Sequence, residues 1–363
     1  MKVFLVAGAR PNFMKIAPIY RASKKYQEVI CKIVHTGQHY DFEMSQTFFE
    51  DLELPEPDFY LNAGSGSQAV QTAKIMVAFE EVCLKERPDW VVVVGDVNST
   101  LACSIVAKKL LIRVAHVEAG LRSFDMTMPE EINRMVTDAI SDCLFVTEES
   151  GMQNLFREGR RSEQIHFVGN VMIDNLFHQM EKLKNEDVRQ FSTFSLKKAR
   201  NPYLFLTLHR PSNVDQEETF RGIAKALNEI AHDCPIFFPM HPRTKKMMAE
   251  FGIQLSNNIE QLPPLGFREA LFLWQDAEVV LTDSGGLQEE TTALGIPCVT
   301  IRENTERPIT LELGSNILAG TRPEAIFQAY QEARARGRKN SSPPFWDGKA
   351  AERIWEALVT GIK

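Results

Sequence analysis

The chain lacks the patterns of a membrane protein or a disulfide-stabilised protein. No stretch reaches the roughly 18 apolar residues that a membrane span needs, and the N-terminal apolar run is too short for a signal peptide. The cytoplasm is therefore the predicted location. The six cysteines lie far apart with no CxxC pair, which favours core thiols over a redox or metal site. They are Cys31, Cys83, Cys103, Cys143, Cys234 and Cys298.

Blocks of one charge sign and cofactor motifs are also missing. The net charge of -7 is spread along the chain, which disfavours nucleic acid and anionic membranes as partners. No GxGxxG follows the first apolar run, and there is no GxxxxGK[ST], no GxSxG and no zinc-ligand spacing. We therefore expect no nicotinamide cofactor and no metal. An anionic ligand would have to be held by local cations and helix ends.

Short apolar runs alternate with segments of helical spacing, twice along the chain. At 363 residues the chain is too long for one ordinary core. The runs are nearly continuous in hydrophobicity, which is typical of parallel strands covered on both faces. In the first half they are residues 2–8, 29–36, 90–96, 114–120, 143–147 and 165–169. After a polar stretch at 182–201, they are residues 203–209, 235–241, 278–284, 297–301 and 316–320.

This alternation predicts an α/β protein with two Rossmann-like domains. The predicted domains are residues 1–180 and 181–345, followed by an amphipathic helix in residues 346–363. We expect a ligand in a central cleft that the carboxyl ends of both sheets face.

In the first half, charged residues follow the predicted strands. Arg10 and Lys15 surround a helix start, which suits phosphate but also fits an ordinary surface helix. Asp96, Glu118 and Glu130 follow later strands, and Asp96 could alternatively cap a helix. Three acids at one sheet edge are costly unless they bind a cation or transfer protons. Without metal-ligand spacing, the pattern favours acid/base chemistry.

In the second half, two strands end in histidine and a third ends at a pair of glycines. His209 and His241 are each followed closely by arginine, although single histidines are usually structural. Gly285 and Gly286, after Ser284, would let backbone N–H groups approach a pyrophosphate at a helix start. Glu290, one turn later, is placed to accept ribose hydroxyls, and Arg307 adds a cation. The alternative is a simple turn before an acidic helix.

Nine of these segments in order resemble the non-hydrolysing UDP-N-acetylglucosamine 2-epimerase family. They read GARPNFMK, TGQH, GDVNST, HVEAGLRS, MPEEINR, LTLHRP, MHPRT, LTDSGGLQEE and TERP. The resemblance implies a glycosyltransferase-B-like architecture whose C-terminal helix crosses back to the first domain. It also implies a homodimer, no metal or nicotinamide requirement, and a usual place in bacterial surface polysaccharide synthesis.

The resemblance implies a mechanism as well. UDP is eliminated across C1–C2 of the sugar to give 2-acetamidoglucal, and is then added back with C2 inverted. By motif, Asp96, Glu118, Glu130 and His209 carry the catalytic roles, and the identity of the C2 base stays open. The implied UDP contacts are Arg10, Lys15, Ser284, Gly285, Gly286, Glu290 and Arg307, joined by Asp96, Glu118 and His209.

Two departures from the family pattern leave alternatives open. The chain has HRPSN at 209–213 where many members have HRREN, and QHYDFEM at 38–44 where many have QHRxML. The second region belongs to a site at which substrate activates many members. Its counterparts here would be Gln38, His39, Gln71, Arg210 and His241. The HYD and MPEEINR variants also resemble relatives acting on UDP-2,3-diacetamido-glucuronic acid. A hydrolysing epimerase, a glycosyltransferase and a nucleotide-sugar sensor are further alternatives.

Overall fold

The computed structural model describes residues 1–38, 49, 52–339 and 342–360. The chain divides into two compact units. Unit 1 comprises Met1–Asn175 and Pro344–Lys363, and unit 2 comprises Leu176–Pro343.

Unit 1 contains a parallel sheet of seven strands among its described residues, in the order β3-β2-β1-β4-β5-β6-β7. The strands are β1 (Lys2–Ala7), β2 (Ile30–His35), β3 (Phe59–Tyr60), β4 (Trp90–Val94), β5 (Arg113–Val117), β6 (Cys143–Val146) and β7 (Ile165–Phe167). The helices are α1 (Arg10–Ser23), α2 (Gln68–Glu86), α3 (Asn98–Lys109), α4 (Pro129–Ile140), α5 (Glu149–Arg157) and α6 (Val171–Asn185), with a 3₁₀ turn at Ser162–Gln164. The unit boundary falls within α6.

Unit 2 contains a second parallel sheet, of six strands in the order β10-β9-β8-β11-β12-β13. The strands are β8 (Leu204–Thr207), β9 (Ile236–Pro239), β10 (Ile259–Leu262), β11 (Val280–Thr282), β12 (Cys298–Thr300) and β13 (Asn316–Leu318). The helices are α7 (Phe194–Ala199), α8 (Pro211–Val214), α9 (Glu217–Asp233), α10 (Pro242–Glu250), α11 (Phe267–Trp274), α12 (Gly285–Ala293), α13 (Pro308–Glu312) and α14 (Pro323–Arg336), with a 3₁₀ turn at Val188–Gln190.

The central strands are apolar because both faces of each sheet are covered. All five residues of β4, Trp-Val-Val-Val-Val, are buried, and alternate members belong to two different core clusters. The predicted α/β class with two parallel sheets is therefore confirmed. Two strands, β3 and β10, were not predicted. Both lie at sheet edges, and their two and four residues lack a long apolar run.

The C-terminal helix α15 (Ala350–Thr360) packs in unit 1. Trp355 is fully buried in the core shared with α1, and its indole N–H donates to the Ile19 carbonyl at 2.7 Å. The Asp174 carboxylate accepts the backbone N–H groups of Ala350 and Ala351 at 3.0 and 2.7 Å, which caps the start of the helix. The tail thus packs against the first unit, as the resemblance implied.

The strand order locates a ligand edge in each unit. The chain adds strands on one side of β1 and then, from β4 on, on its other side, and it does the same at β8 and β11 in unit 2. Open parallel sheets bind ligands outside the carboxyl ends of the strands at such switch points.

In the described part of the chain, no helix is long and apolar enough to cross a membrane. All six cysteines are free thiols, five of them buried.

Candidate active site

Glu118 lies at the ligand edge of unit 1 in a constrained backbone conformation. It directly follows β5, is 9% exposed, and has φ +74°, in the left-handed region that non-glycine residues rarely adopt. Its N–H and that of Ala119 both donate to the Phe145 carbonyl at 3.0 Å, which fixes the turn. Such a conformation costs of order 1–3 kcal/mol and clusters at functional sites.

Lys15 from α1 forms an ion pair with the Glu118 carboxylate. The approach depends on Gly95, which has φ +67° and follows β4. A Cβ at this position would lie 2.9 Å from Lys15 Nζ and 3.7 Å from Glu118 Oε2. Helix α1, which follows β1, and the loops after β4 and β5 therefore meet at this point.

Asp96 does not cap a helix. The N-cap of α3 is Val97, whereas the Asp96 carboxylate pairs with Arg134 of α4. The Asp96 carbonyl also accepts from the Asn133 side-chain amide at 2.8 Å. The Asp96 side chain is 34% exposed, so the carboxylate is held in place while one side remains open to solvent.

The two neighbouring glutamates at the start of α4 differ in environment. Glu130 is half-buried, whereas Glu131 is 1% exposed. Glu131 accepts the backbone N–H groups of Ser123 and Phe124 at 3.0 Å each, and Arg134 Nη2 at 2.7 Å. Burial would raise the pKa of Glu131, but these donors lower it below its ordinary value. Glu131 therefore shapes the preceding loop, whereas Glu130 is the one of the pair that is partly exposed to solvent.

The acids of this edge are matched by cations. Lys15 accompanies Glu118, and Arg134 accompanies Asp96, so these ion pairs offset part of the cost of gathering carboxylates. Among the described residues, no group of three or more His, Cys, Asp or Glu side chains is arranged to hold a metal ion.

Gln38 and Gln71 belong to a buried polar network in unit 1. Gln71 Nε2 donates to the Gln38 carbonyl at 3.3 Å, and Asn98 Nδ2 donates to Gln71 Oε1 at 2.9 Å. Ser99 Oγ donates to Gln38 Oε1 at 2.8 Å. His39 lies outside the described residues. The other two predicted activator-site residues, Arg210 and His241, belong to unit 2.

In unit 2 the fully buried Asp283 organises the ligand edge. Its Oδ2 accepts the backbone N–H groups of His209 and Arg210 at 2.9 and 2.8 Å, and its Oδ1 lies 2.8 Å from His209 Nδ1. Burial would raise the pKa of Asp283, but the interactions with His209 and Arg210 lower it. The loop after β8 is thereby tied to the loop after β11.

The helix start predicted from the glycine pair begins as expected. Ser284 is the N-cap of α12, and its Oγ accepts the Leu287 N–H at 3.5 Å. A Cβ at Gly286 would meet nothing within 4 Å, so the helix start is open beside it. One turn on, Glu290 is buried, and burial followed by the charge of Glu289 raises its pKa to about 8.

Two arginines of unit 2 lie beside this helix start. Arg307 Nε lies 3.0 Å from Glu289 Oε1, and Arg210 Nη2 lies 3.3 Å from Glu306 Oε1. His241 is exposed, caps α10 by accepting the Arg243 N–H at 3.2 Å, and its ring centre lies 5.9 Å from that of His209. The predicted phosphate contact Arg10 belongs to unit 1, where it is exposed at the start of α1.

The sequence profile of one protein family, described as UDP-N-acetylglucosamine 2-epimerase, matches residues 21–359. The chain belongs to the UDP-N-acetylglucosamine 2-epimerase family.

Similarity to individual family members extends over nearly the whole chain. It is 46% identical over 368 residues to a UDP-N-acetylglucosamine 2-epimerase of Methanocaldococcus jannaschii, covering 99% of this chain and all of the relative. It is 38% identical over 362 residues to a UDP-2,3-diacetamido-2,3-dideoxy-D-glucuronate 2-epimerase of Pseudomonas aeruginosa, covering 99% of each. The crystal structure of the M. jannaschii UDP-GlcNAc 2-epimerase with UDP-GlcNAc and UDP matches with a TM-score of 0.84 at 44% identity, covering 99% of this chain and all of that one.

In this family member, several organising residues were missed by sequence reasoning. Asp283 stands in LTDSGG directly before the predicted helix start, and a buried acid at a strand end was the available signal. The sequence pattern assigned no role to His116, yet it is fully buried and bonded at both ring nitrogens. Asp138 gave no signal in sequence, since it lies in a helix of mixed composition.

Proposed function

We propose that this protein catalyses the reversible C2 epimerisation of UDP-N-acetylglucosamine and UDP-N-acetylmannosamine without hydrolysing them. Family membership and the names of its relatives support an isomerase over a glycosyltransferase or a sensor. The observation that most supports an active site here is the left-handed conformation of Glu118, which pairs with Lys15 at a sheet edge.

The chemistry requires elimination because the C2 proton of the sugar is not adjacent to a carbonyl. A carboxylate removes that proton, and the electrons of the C–H bond form the C1–C2 double bond. The C1–O bond then breaks with its electron pair remaining on UDP. We propose that Asp96, Glu118 and Glu130 share the removal of this proton and its return to the opposite face.

In this proposal, unit 2 holds the leaving group. A departing diphosphate is stabilised by helix N-termini and cations, which are the features at Ser284, Gly286 and Arg307. Glu290 would accept ribose hydroxyls, whose hydrogen bonds would favour its ionised form. His209, oriented by Asp283, would contact the diphosphate end of the substrate. Arg10, Lys15, Gly285 and Glu118 complete the proposed contacts with the UDP sugar.

Isotope exchange tests this function directly. Incubation of UDP-N-acetylglucosamine with the enzyme in D2O should put deuterium at C2 of both epimers. Phosphorus NMR should show UDP only as a trace. Product without C2 deuterium would contradict the elimination, and free UDP formed at the pace of sugar conversion would identify a hydrolysing enzyme.

A second sugar deserves the same assay, because the P. aeruginosa relative is named for UDP-2,3-diacetamido-2,3-dideoxy-D-glucuronate. The two substrates should be compared side by side at equal concentration. A kcat/KM for the diacetamido uronate that exceeds the value for UDP-N-acetylglucosamine would reassign the sugar and leave the reaction type unchanged.

We also propose a homodimer. Val77 of α2 and Ile132 and Met135 of α4 are 63%, 44% and 38% exposed. Met76, next to Val77, and Ile132 line a groove of about 350 Å³. Exposed apolar side chains around an apolar groove favour association with another protein surface. Light scattering after gel filtration should give twice the 41.2 kDa chain mass, and Val77→Glu should reduce it. A wild-type monomer would contradict the proposal.

A further inference from the structure

Helix α4 carries three charged residues at four-residue spacing, which places them along one helix face. Glu130 is at its start, Arg134 pairs with Asp96, and Asp138 is fully buried near its end. Two of the proposed catalytic carboxylates are thus connected to this helix, Glu130 directly and Asp96 through Arg134. Asp138 provides a connection to the third.

Asp138 binds the loop that follows Glu118. Its Oδ2 accepts the Gly120 N–H at 3.1 Å and lies 2.7 Å from Arg122 Nη2. Its Oδ1 lies 2.7 Å from His116 Nδ1. Burial would raise the pKa of Asp138, but the charges and hydrogen bonds of His116 and Arg122 lower it below its ordinary value. The side chain is therefore an ionised acceptor with every partner supplied by the protein.

His116 transmits this contact to the other catalytic loop. Its Nε2 lies 2.8 Å from the Gly95 carbonyl, and because a carbonyl can only accept, Nε2 is the donor. Gly95 immediately precedes Asp96, and His116 stands two residues before Glu118. One fully buried ring therefore bridges the loops that carry these two acids.

We propose that Asp138 and His116 are positioning residues that fix the placement of Asp96 relative to Glu118. The inference rests on the proposed function, in which one carboxylate removes the C2 proton and another supplies it on the opposite face. Both must lie within hydrogen-bond reach of the same carbon, and a misplacement of about 1 Å costs on the order of 100-fold in rate.

A purely structural role is the competing interpretation, and the fate of the intermediate separates the two. A loosened fold lowers stability without changing the fraction of turnovers that release 2-acetamidoglucal instead of completing the epimerisation. Misplaced carboxylates slow the re-addition step, so that 2-acetamidoglucal and UDP escape before the second proton transfer. The escaping fraction therefore reports positioning rather than folding.

The test compares Asp138→Asn and His116→Gln with a matched control, Asp174→Asn. Asp174 is a buried carboxylate of the same unit that accepts two backbone N–H groups at the start of α15. Melting temperature, kcat, KM and the fraction of turnovers releasing 2-acetamidoglucal are measured for each variant. We expect Asp138→Asn to lower kcat about 100-fold with KM within about threefold, and to raise the released fraction.

Asp174→Asn should lower the melting temperature while leaving kcat and the released fraction unchanged. Folded Asp138→Asn with kcat within about threefold of wild type and no added release would overturn the inference. If Asp138→Asn does not fold, His116→Gln decides by the same criteria, since glutamine can still donate to Gly95 but loses Asp138. Wild-type protein without deuterium exchange at C2 would instead overturn the proposed function itself.

Discussion

The ligand edges of the two units are built from different backbone conformations. In unit 1 the residue after β5, Glu118, has φ +74°, whereas in unit 2 Arg210 and Ser284 have φ of -69° and -82°. All seven non-glycine residues with positive φ among the described residues belong to unit 1. Unit 2 instead presents an ordinary helix start with an open approach at Gly286.

The acids of the two ligand edges differ in solvent exposure. Asp96 in unit 1 is paired with a cation yet 34% exposed, whereas Asp283 in unit 2 is completely buried and holds the loops together. Holding an anion requires donors in fixed positions, which relaxed secondary structure supplies. Moving a proton requires a carboxylate aimed at one atom, and a strained backbone conformation can hold the carboxylate in that position. The comparison supports our proposal that unit 1 performs proton transfer and unit 2 binds the diphosphate.

The largest expected effect comes from Glu118→Gln. The amide keeps the size of the side chain but cannot take up a proton, so kcat should fall about 1000-fold with the fold intact. Steady-state epimerisation and circular dichroism check this. Glu86→Gln is the matched control, because Glu86 also pairs with lysines, Lys2 and Lys32 at 3.1 and 3.0 Å. Equal activity of both variants would show that Glu118 takes no part in the proton transfer.

Gly286→Ala should weaken UDP binding about tenfold while the protein stays folded. The added methyl group meets no protein atom within 4 Å, but it occupies the space in front of the α12 start that we assign to the diphosphate. Calorimetry with UDP measures the change in Kd. Gly266→Ala is the control, since Gly266 is the N-cap of α11 and also has nothing within 4 Å of its Cβ position. Unchanged UDP affinity in Gly286→Ala would contradict the proposed cradle.

Glu290 should make the stability of the ligand-free protein depend on pH. Its folded-state pKa of about 8 lies above the ordinary value of 4.5, so folding favours the protonated form. That contribution is complete below about pH 4.5 and is lost as the pH rises through about 8. Urea unfolding of wild type and Glu290→Gln at pH 6, 7 and 8 should give free energies whose difference changes with pH. Parallel curves would show that Glu290 is already ionised.

Sequence patterns predicted the parts of this protein that depend on local chemistry. The apolar run of β4 and the helix start at Gly285 are encoded by neighbouring residues, and both were found. The pairing of Lys15 with Glu118 depends on β1, β4 and β5 lying side by side, which is a property of sheet order. Asp138 acquires its partners only through tertiary packing, so its role could not be predicted from its helix.

The smallest expected effect separates strain that serves chemistry from strain that does not. Leu111 has φ +61° just before β5, at the opposite end of the strand from Glu118, and its side chain is 92% exposed. Glycine relieves the left-handed penalty of about 1–2 kcal/mol but adds freedom to the unfolded chain. Leu111→Gly should therefore raise the free energy of unfolding by less than about 1 kcal/mol and leave kcat unchanged. Glu118→Gly relieves the same left-handed penalty but removes the carboxylate that pairs with Lys15, so this variant should be inactive and no more stable than wild type. A loss of activity in Leu111→Gly would mean that strain throughout unit 1, rather than at Glu118 alone, supports the reaction.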